Sequence, residues 1–220
     1  MSLDDAATRD PVFGPPHNCR QCPRLAAFLD ELRVKEPDWH NAPVPSFGDP
    51  DAALLIVGLA PGMKGANRTG RPFTGDYAGD LLYATLKDFG YLSGTYRADP
   101  DDGIRLTGAM ITNAVRCLPP QNKPTGIEIR TCRPYLAGLI ERLPRLRAIL
   151  ALGRVAHETT LATLGARRTG HPFAHNARHD LAGGLTLFDS YHCSRYNTNT
   201  GRLTPDMFHA VFASVRACLT

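Results

Sequence analysis

The sequence predicts an α/β fold: a three-layer α/β/α sandwich around a central, mainly parallel four-stranded sheet. Two observations predict it. Four apolar-dominated runs recur along the chain, ALLIVG (53–58), GAMITN (108–113), RAILAL (147–152) and LTLFDS (185–190), as strands buried on both faces do. Helical stretches separate and follow them, and strand–helix alternation at this spacing builds a parallel sheet covered by helices.

The elements follow in order. Residues 1–18 are rich in Pro and Gly and read as an irregular segment. RLAAFLDELRV (24–34) has helical periodicity, and the four prolines of 37–50 make that stretch a loop. The first strand, 53–58, ends in glycine and opens into a Gly-rich loop, then a helix over 77–89 (YAGDLLYATLKDF). After the strand at 108–113, residues 127–143 are helical in pattern, with Pro134 marking a restart or kink. The strand at 147–152 leads into a helix over 154–164. After 185–190 the last helix starts at Thr204, a capping residue ahead of Pro205 at the first helical position. No repeat or long linker divides the 220 residues, so one domain is expected over 1–220.

Composition narrows the function classes. The chain is 43% hydrophobic and has no 18-residue apolar run, so no membrane span or membrane partner is expected. The N-terminus, MSLDDAATRD, lacks the apolar core of a secretory signal. A cytoplasmic monomer is the expectation, with thiols serving metals or redox chemistry rather than disulfides. The net charge of +4 conceals an asymmetry: residues 1–62 hold 5 Lys/Arg against 9 Asp/Glu, whereas 116–220 hold 14 against 6. The basic half is nearly all arginine, whose fork matches phosphate oxygens, so a polyanionic partner is plausible beside the plainer reading of a solvated basic surface.

Four cysteines carry the clearest chemical signal. Cys19 and Cys22 form C-x-x-C, while Cys117 and Cys132 are widely separated. Four thiolates hold a tetrahedral zinc or an iron–sulfur cluster. Zinc-finger cysteines come as two close pairs, so the split second pair leans toward iron–sulfur. The plainer alternative is four unrelated buried thiols. Cys193 and Cys218 read as free thiols.

In an open α/β sheet the ligand sits beyond the carboxyl ends of the strands. The loops there are 58–76 (GLAPGMKGANRTGRPFTGD), 112–117 (TNAVRC), 152–157 (LGRVAH) and 190–204 (SYHCSRYNTNTGRLT). The first lacks both G-K-[ST] and G-x-G-x-x-G, so it is neither a Walker loop nor a dinucleotide fingerprint. Its glycines and Pro61 suit close backbone approach to a flat ligand. Phe73 is either a stacking aromatic or a core residue. The last loop, with His192, Ser194, Arg195, Tyr196 and Asn197, is too polar for a core and suits phosphate or base contacts.

These residues carry a resemblance. GLAP followed by NRTGRPFTGD, TNAVRC with the cysteines at 19, 22, 117 and 132, and HCSRYNTNTGRLT together resemble the uracil-DNA glycosylase superfamily, more narrowly its iron–sulfur family 5. The resemblance spans about residues 19–204. It implies flipping of a damaged nucleotide from DNA and hydrolysis of its N-glycosidic bond, with no lyase step, and a [4Fe–4S] cluster on Cys19, Cys22, Cys117 and Cys132. Residue by residue it implies His192 as donor to the departing base, Asn113 as reader of the base edge and Phe73 as the stacking face. Gly58, Ala60, Pro61 and Gly62 would line the pocket.

Many superfamily members carry Asp or Asn at the position of Ala60 to orient water, and alanine lacks that ability. Asp76, the nearest acid in the motif, is the candidate for the role, against the alternative of a helix N-cap. The roomier Ala60 pocket admits hypoxanthine or xanthine as further substrates. Arg68, Arg154, Ser194, Arg195, Tyr196 and Asn197 are the candidate DNA contacts. His175 and His179 lie in an arginine-bearing loop that might also touch DNA; the remaining histidines read as surface or satisfied core. Two other classes stay open: a non-catalytic nucleic-acid-binding protein with a structural cluster or zinc, and an electron-transfer protein, for which the stacking and His192 loops have no use.

Overall fold

The computed structural model describes residues 14–220. Of the irregular segment expected over 1–18, residues 14–18 form neither helix nor strand, and 1–13 lie outside the described residues.

Four strands run parallel at the centre: β2 (Leu54–Gly58), β5 (Ala109–Asn113), β6 (Ala148–Leu152) and β8 (Thr186–Ser190). Each begins one residue after the start read from the sequence. All of their residues are buried, which explains why they read as continuous apolar runs rather than alternating ones. The sheet has six strands, not four. β1 (Phe47–Gly48) and β7 (Arg178–Asp180) pair antiparallel on the outer strands, giving the order β1-β5-β2-β6-β8-β7. These edges are two and three residues long and sit in Pro-rich and polar stretches, so no periodicity announces them. Short edge strands also limit pairing with other chains. A separate hairpin joins β3 (Leu92–Ser93) to β4 (Arg105–Leu106).

Side chains alternate across the sheet and build two cores. Leu54, Ile56, Ile111, Leu150 and Phe188 pack with α3 (Tyr77–Asp88) and α7 (Pro205–Leu219). Leu55, Val57, Met110, Ile149, Ala151 and Leu187 face the other way, toward α4 (Gly126–Glu141) and α5 (Arg154–Thr163). That is the three-layer sandwich. A third cluster seats α1 (Pro23–Lys35) against Val115, Cys117, Leu118 and Cys132.

The helix ends follow their sequence signals. Thr204 accepts from the Met207 amide, with Pro205 in the first turn. Thr125 and Glu128 form a reciprocal capping box on α4. α4 runs through Pro134 without restarting. Proline removes one helical hydrogen bond, and burial of Leu136 and Leu139 on the sheet offsets that loss. Two short helices lie inside the loops: α2 (Ala66–Thr69) and α6 (Arg195–Asn199), the latter capped by Ser194. Among the described residues no helix is long and apolar enough to cross a membrane.

Candidate active site

The register of the central strands brings the loops together. Gly58 is paired with Asn113, and Leu152 with Ser190, so the first, second and last loops leave one edge of the sheet side by side. Between them lies a cavity of about 550 Å³. Ala60, Pro61, Gly62, Phe73, Asp76, Asn113, His192, Ser194 and Arg195 line it, as do Tyr77 and Asn122.

Gly58 is not in the wall but makes the wall possible. A Cβ there would lie 2.4 Å from Asn113 Oδ1 and 2.7 Å from the Phe73 ring. Asn113 is 4% exposed, and its amide has no hydrogen-bond partner among the described residues although it faces the cavity. Buried amides are normally satisfied. This one is free to read a ligand edge with a donor and an acceptor.

Phe73 is both core residue and pocket wall: it is 6% exposed and belongs to the α3/α7 core. Its ring stacks on His192 at 5.8 Å between centroids, 27° from parallel. Its backbone is left-handed (φ 52°), a strained state for an aromatic residue. The surroundings impose it. Tyr96 Oη donates to Phe73 O at 3.1 Å, and a Cβ on Gly79 would sit 1.9 Å from that same oxygen. Two residues earlier, Arg71 makes a two-pronged buried ion pair with Asp102 (2.8 and 2.9 Å) among the rings of Phe47, Tyr83 and Tyr96. The sequence reading missed Arg71, Asp102 and Tyr96, because no local pattern ties 96–102 to 71.

His192 sits at the end of β8 with its ring sunk in the cavity wall. The ring nitrogens have no hydrogen-bond partner among the described residues, and burial pushes the pKa down to about 4. The imidazole is therefore neutral at pH 7 and has an N–H to offer. Asn197 holds the loop from behind, donating from Nδ2 to His192 O at 2.8 Å. Below the loop, Asp189 joins His157 (2.7 Å) and His179 (3.0 Å) in a buried cluster. His179 is thus interior, and the DNA contact suggested for it is withdrawn because its ring faces Asp189 inside the fold. His175 stacks on Tyr191 and accepts its amide at 3.2 Å.

Asp76 occupies the N-cap position of α3, yet its side chain makes no cap hydrogen bond. Oδ1 is buried without a partner. Burial raises its pKa; the nearby amides of Gly79 and Ala78 oppose that rise without cancelling it. The carboxylate thus combines the N-cap position with one oxygen left unpaired at the cavity, beside Gly62 and Gly65.

The rim is basic. Arg195 is exposed and lies over the Tyr77 ring at 5.4 Å, while Arg154 opens α5 over Phe173 at 5.7 Å. Arg68 is exposed on α2 and donates to Lys64 O. Tyr196 projects with 71% exposure. Ser194 and Asn197 are engaged within the loop, as cap and as support for His192.

The four cysteines meet on the other side of the 113–117 loop. Cys19, Cys22, Cys117 and Cys132 line one small cleft with Leu25, Val115 and Tyr135, all four as free thiols. Burial, then the neighbouring thiols, pushes Cys22 up to about 11; burial likewise pushes Cys117 and Cys132 up. Four such groups become thiolates together only where positive charge compensates them, as a metal centre does. The donor set, four cysteine sulfurs with no other ligand type in the cleft, fits an iron–sulfur cluster.

The comparisons with known proteins agree with this geometry. The family model of the uracil DNA glycosylase superfamily matches residues 45–216. The chain belongs to the uracil DNA glycosylase superfamily. Among its curated relatives, the Type-5 uracil-DNA glycosylase of Thermus thermophilus is 48% identical over 204 residues, covering 90% of this chain and 92% of that one. The Type-5 enzyme of Mycobacterium bovis is 42% identical over 90% of this chain and 77% of its own length, and that of Pyrobaculum aerophilum 38% over 91% and 88%. The matched region contains every pocket residue named above, and the relatives extend the likeness toward the cysteine-bearing N-terminal part. Asn122, which reaches the rim from the Pro-rich loop, carried no signal in the sequence beyond its prolines.

Proposed function

We propose that the chain is a uracil-DNA glycosylase of the type-5 kind: it extrudes uracil from DNA and hydrolyses its N-glycosidic bond, leaving an abasic site. One observation carries this reading. Three polar side chains, Asn113, His192 and Asp76, converge on one cavity beside a stacking ring; the Asn113 amide and the His192 ring have no partner among the described residues, and Asp76 keeps Oδ1 unpaired. Such a site is pre-organised for a planar polar ligand.

The extruded base lies against Phe73. Asn113 pairs with its edge. As the glycosidic bond lengthens, negative charge grows on the base and positive charge on the sugar. The neutral His192 donates to the base oxygen that gains charge. Asp76, ionised, orients water and faces the cationic sugar, a role that Ala60 is unable to fill. No lysine lines the cavity in an apolar setting; Lys64 lies exposed at its rim, so Schiff-base attack and a lyase step are not expected. Ala60 leaves room for hypoxanthine and xanthine. The arginine rim tracks the phosphates.

Cys19, Cys22, Cys117 and Cys132 would hold a [4Fe–4S] cluster that fastens α1 to the loop between Asn113 and Cys117. When bound it supplies cross-linking rather than a step in the reaction. A monomer working in the cytoplasm is consistent with the reduced cysteines.

The test is incubation with duplex oligonucleotides carrying one uracil, hypoxanthine or xanthine, followed by alkaline cleavage. Strand scission at uracil is expected only after alkali. Scission without alkali, or a borohydride-trapped adduct, would contradict the monofunctional reading; binding with no scission would favour a nucleic-acid-binding module.

A further inference from the structure

Arg116 is the largest fully buried side chain among the described residues, 1% exposed. It follows Val115 in the loop after β5 and immediately precedes Cys117. A buried guanidinium is expensive unless an anion compensates it. Arg71 meets that requirement with Asp102; Arg116 does not. Among the described residues no carboxylate pairs with it. Its Nη1 donates to Ser46 Oγ at 2.8 Å, and its Nη2 is buried with no partner among the described residues. Its main-chain N–H points at Cys132 Sγ at 3.4 Å. Its next residue in the chain is Cys117, so Arg116 is buried beside two of the four cysteines.

We propose that Arg116 is the buried counter-charge of the four-cysteine centre and tunes the cluster held there. This rests on the cluster reading above. A cluster ligated by four thiolates is a net anion, and an electron taken from an electrode makes it more negative. A fixed guanidinium nearby stabilises the thiolate set and favours the reduced state, raising the reduction potential. Through Ser46, whose Oγ also meets Thr112 Oγ1 at 3.0 Å, Arg116 is tied to the end of β5, one residue before Asn113.

The experiment compares purified wild-type protein with Arg116→Gln and Arg116→Lys. Iron and sulfide content, loss of iron in air, and the cluster potential from mediated titration followed by electron paramagnetic resonance are measured. Arg116→Gln keeps a hydrogen bond for Ser46 and drops the charge; a shift to more negative potential and a several-fold faster loss of iron are expected. Arg116→Lys should stay near wild type. If Arg116→Gln does not fold, Arg116→Met is read in the same way, and if neither neutral variant folds, loss of iron from Arg116→Lys as slow as wild type supports the proposal while rapid loss overturns it. Equal potentials in cluster-bearing wild type and Arg116→Gln would overturn this inference alone, as would an Arg116→Lys variant shifted as far as the glutamine. Iron-free wild-type protein would overturn the cluster reading and this inference together.

Discussion

At the scale of the residue, burial shifts His192 and Asp76 in opposite directions. Burial lowers the pKa of the imidazole, so it stays neutral at working pH and donates without carrying charge. His192→Ala removes a donor to an oxygen that becomes anionic only in the transition state. Single-turnover rates should fall about 10²–10³-fold, or about 2–4 kcal/mol, with duplex affinity nearly unchanged in a binding assay. Asp76 is shifted the other way: burial disfavours its charge. The reaction needs the ionised form, so the rate should fall on acidification at a pH above the ordinary carboxylate value of about 3.9. Asp76→Asn should be slow and lose that acid limb. The sign for stability is opposite. A folded-state pKa above the unfolded one means that the native state holds the extra proton, so the ionised carboxylate opposes folding as pH rises through that value. Asp76→Asn should therefore melt no lower than wild type at neutral pH. A fully active Asp76→Asn variant would remove the residue from the mechanism.

At the scale of the element, α3 shows how a helix is subordinated to a site. Its first turn carries Gly79, although alanine within a helix is favoured over glycine by about 1 kcal/mol. Glycine is required because Phe73 O and the Tyr96 hydroxyl pack where a Cβ would stand. Gly79→Ala should reverse the propensity rule. Thermal melting should show destabilisation, and uracil release should slow, because the shift is transmitted to the strained Phe73 backbone and its stacking on His192. Asp102 supports the same loop from the far side. Burial opposes its charge, but the Arg71 fork and the amides of Arg97 and Ile104 outweigh it and hold its pKa down to about 2. Its contribution to stability is complete above the ordinary carboxylate range and is lost as pH falls through about 2.

At the scale of the whole molecule, the cavity and the four-cysteine cleft lie on opposite sides of one loop. Residues 113–117 begin with Asn113 in the cavity wall and end with Cys117 in the cleft, so five residues join the two. Of the arginines of the C-terminal half, Arg195 is the one that lines the cavity. Arg195→Ala should weaken binding to uracil-containing and undamaged duplexes alike and reduce the salt slope by about one phosphate contact. An unchanged slope in titrations across salt concentrations would show that Arg195 makes no such contact.

The central strands, the main helices and the loops that carry the site were legible in the sequence, because buried parallel strands and capped amphipathic helices are written in local periodicity. Motifs marked Asn113, His192, Phe73 and the four cysteines along the chain, and the fold brings the first three to one cavity and the cysteines to one cleft. The sequence left Asp76 undecided between cap and catalyst; only the packed structure shows a carboxylate at the N-cap that makes no cap hydrogen bond. It gave no sign of Arg71 with Asp102, of Gly79 beneath Phe73, or of Arg116 without a carboxylate. These depend on which distant segments meet and on which polar atoms are left unpaired when they do, and burial and pairing come into existence only when the chain has closed on itself.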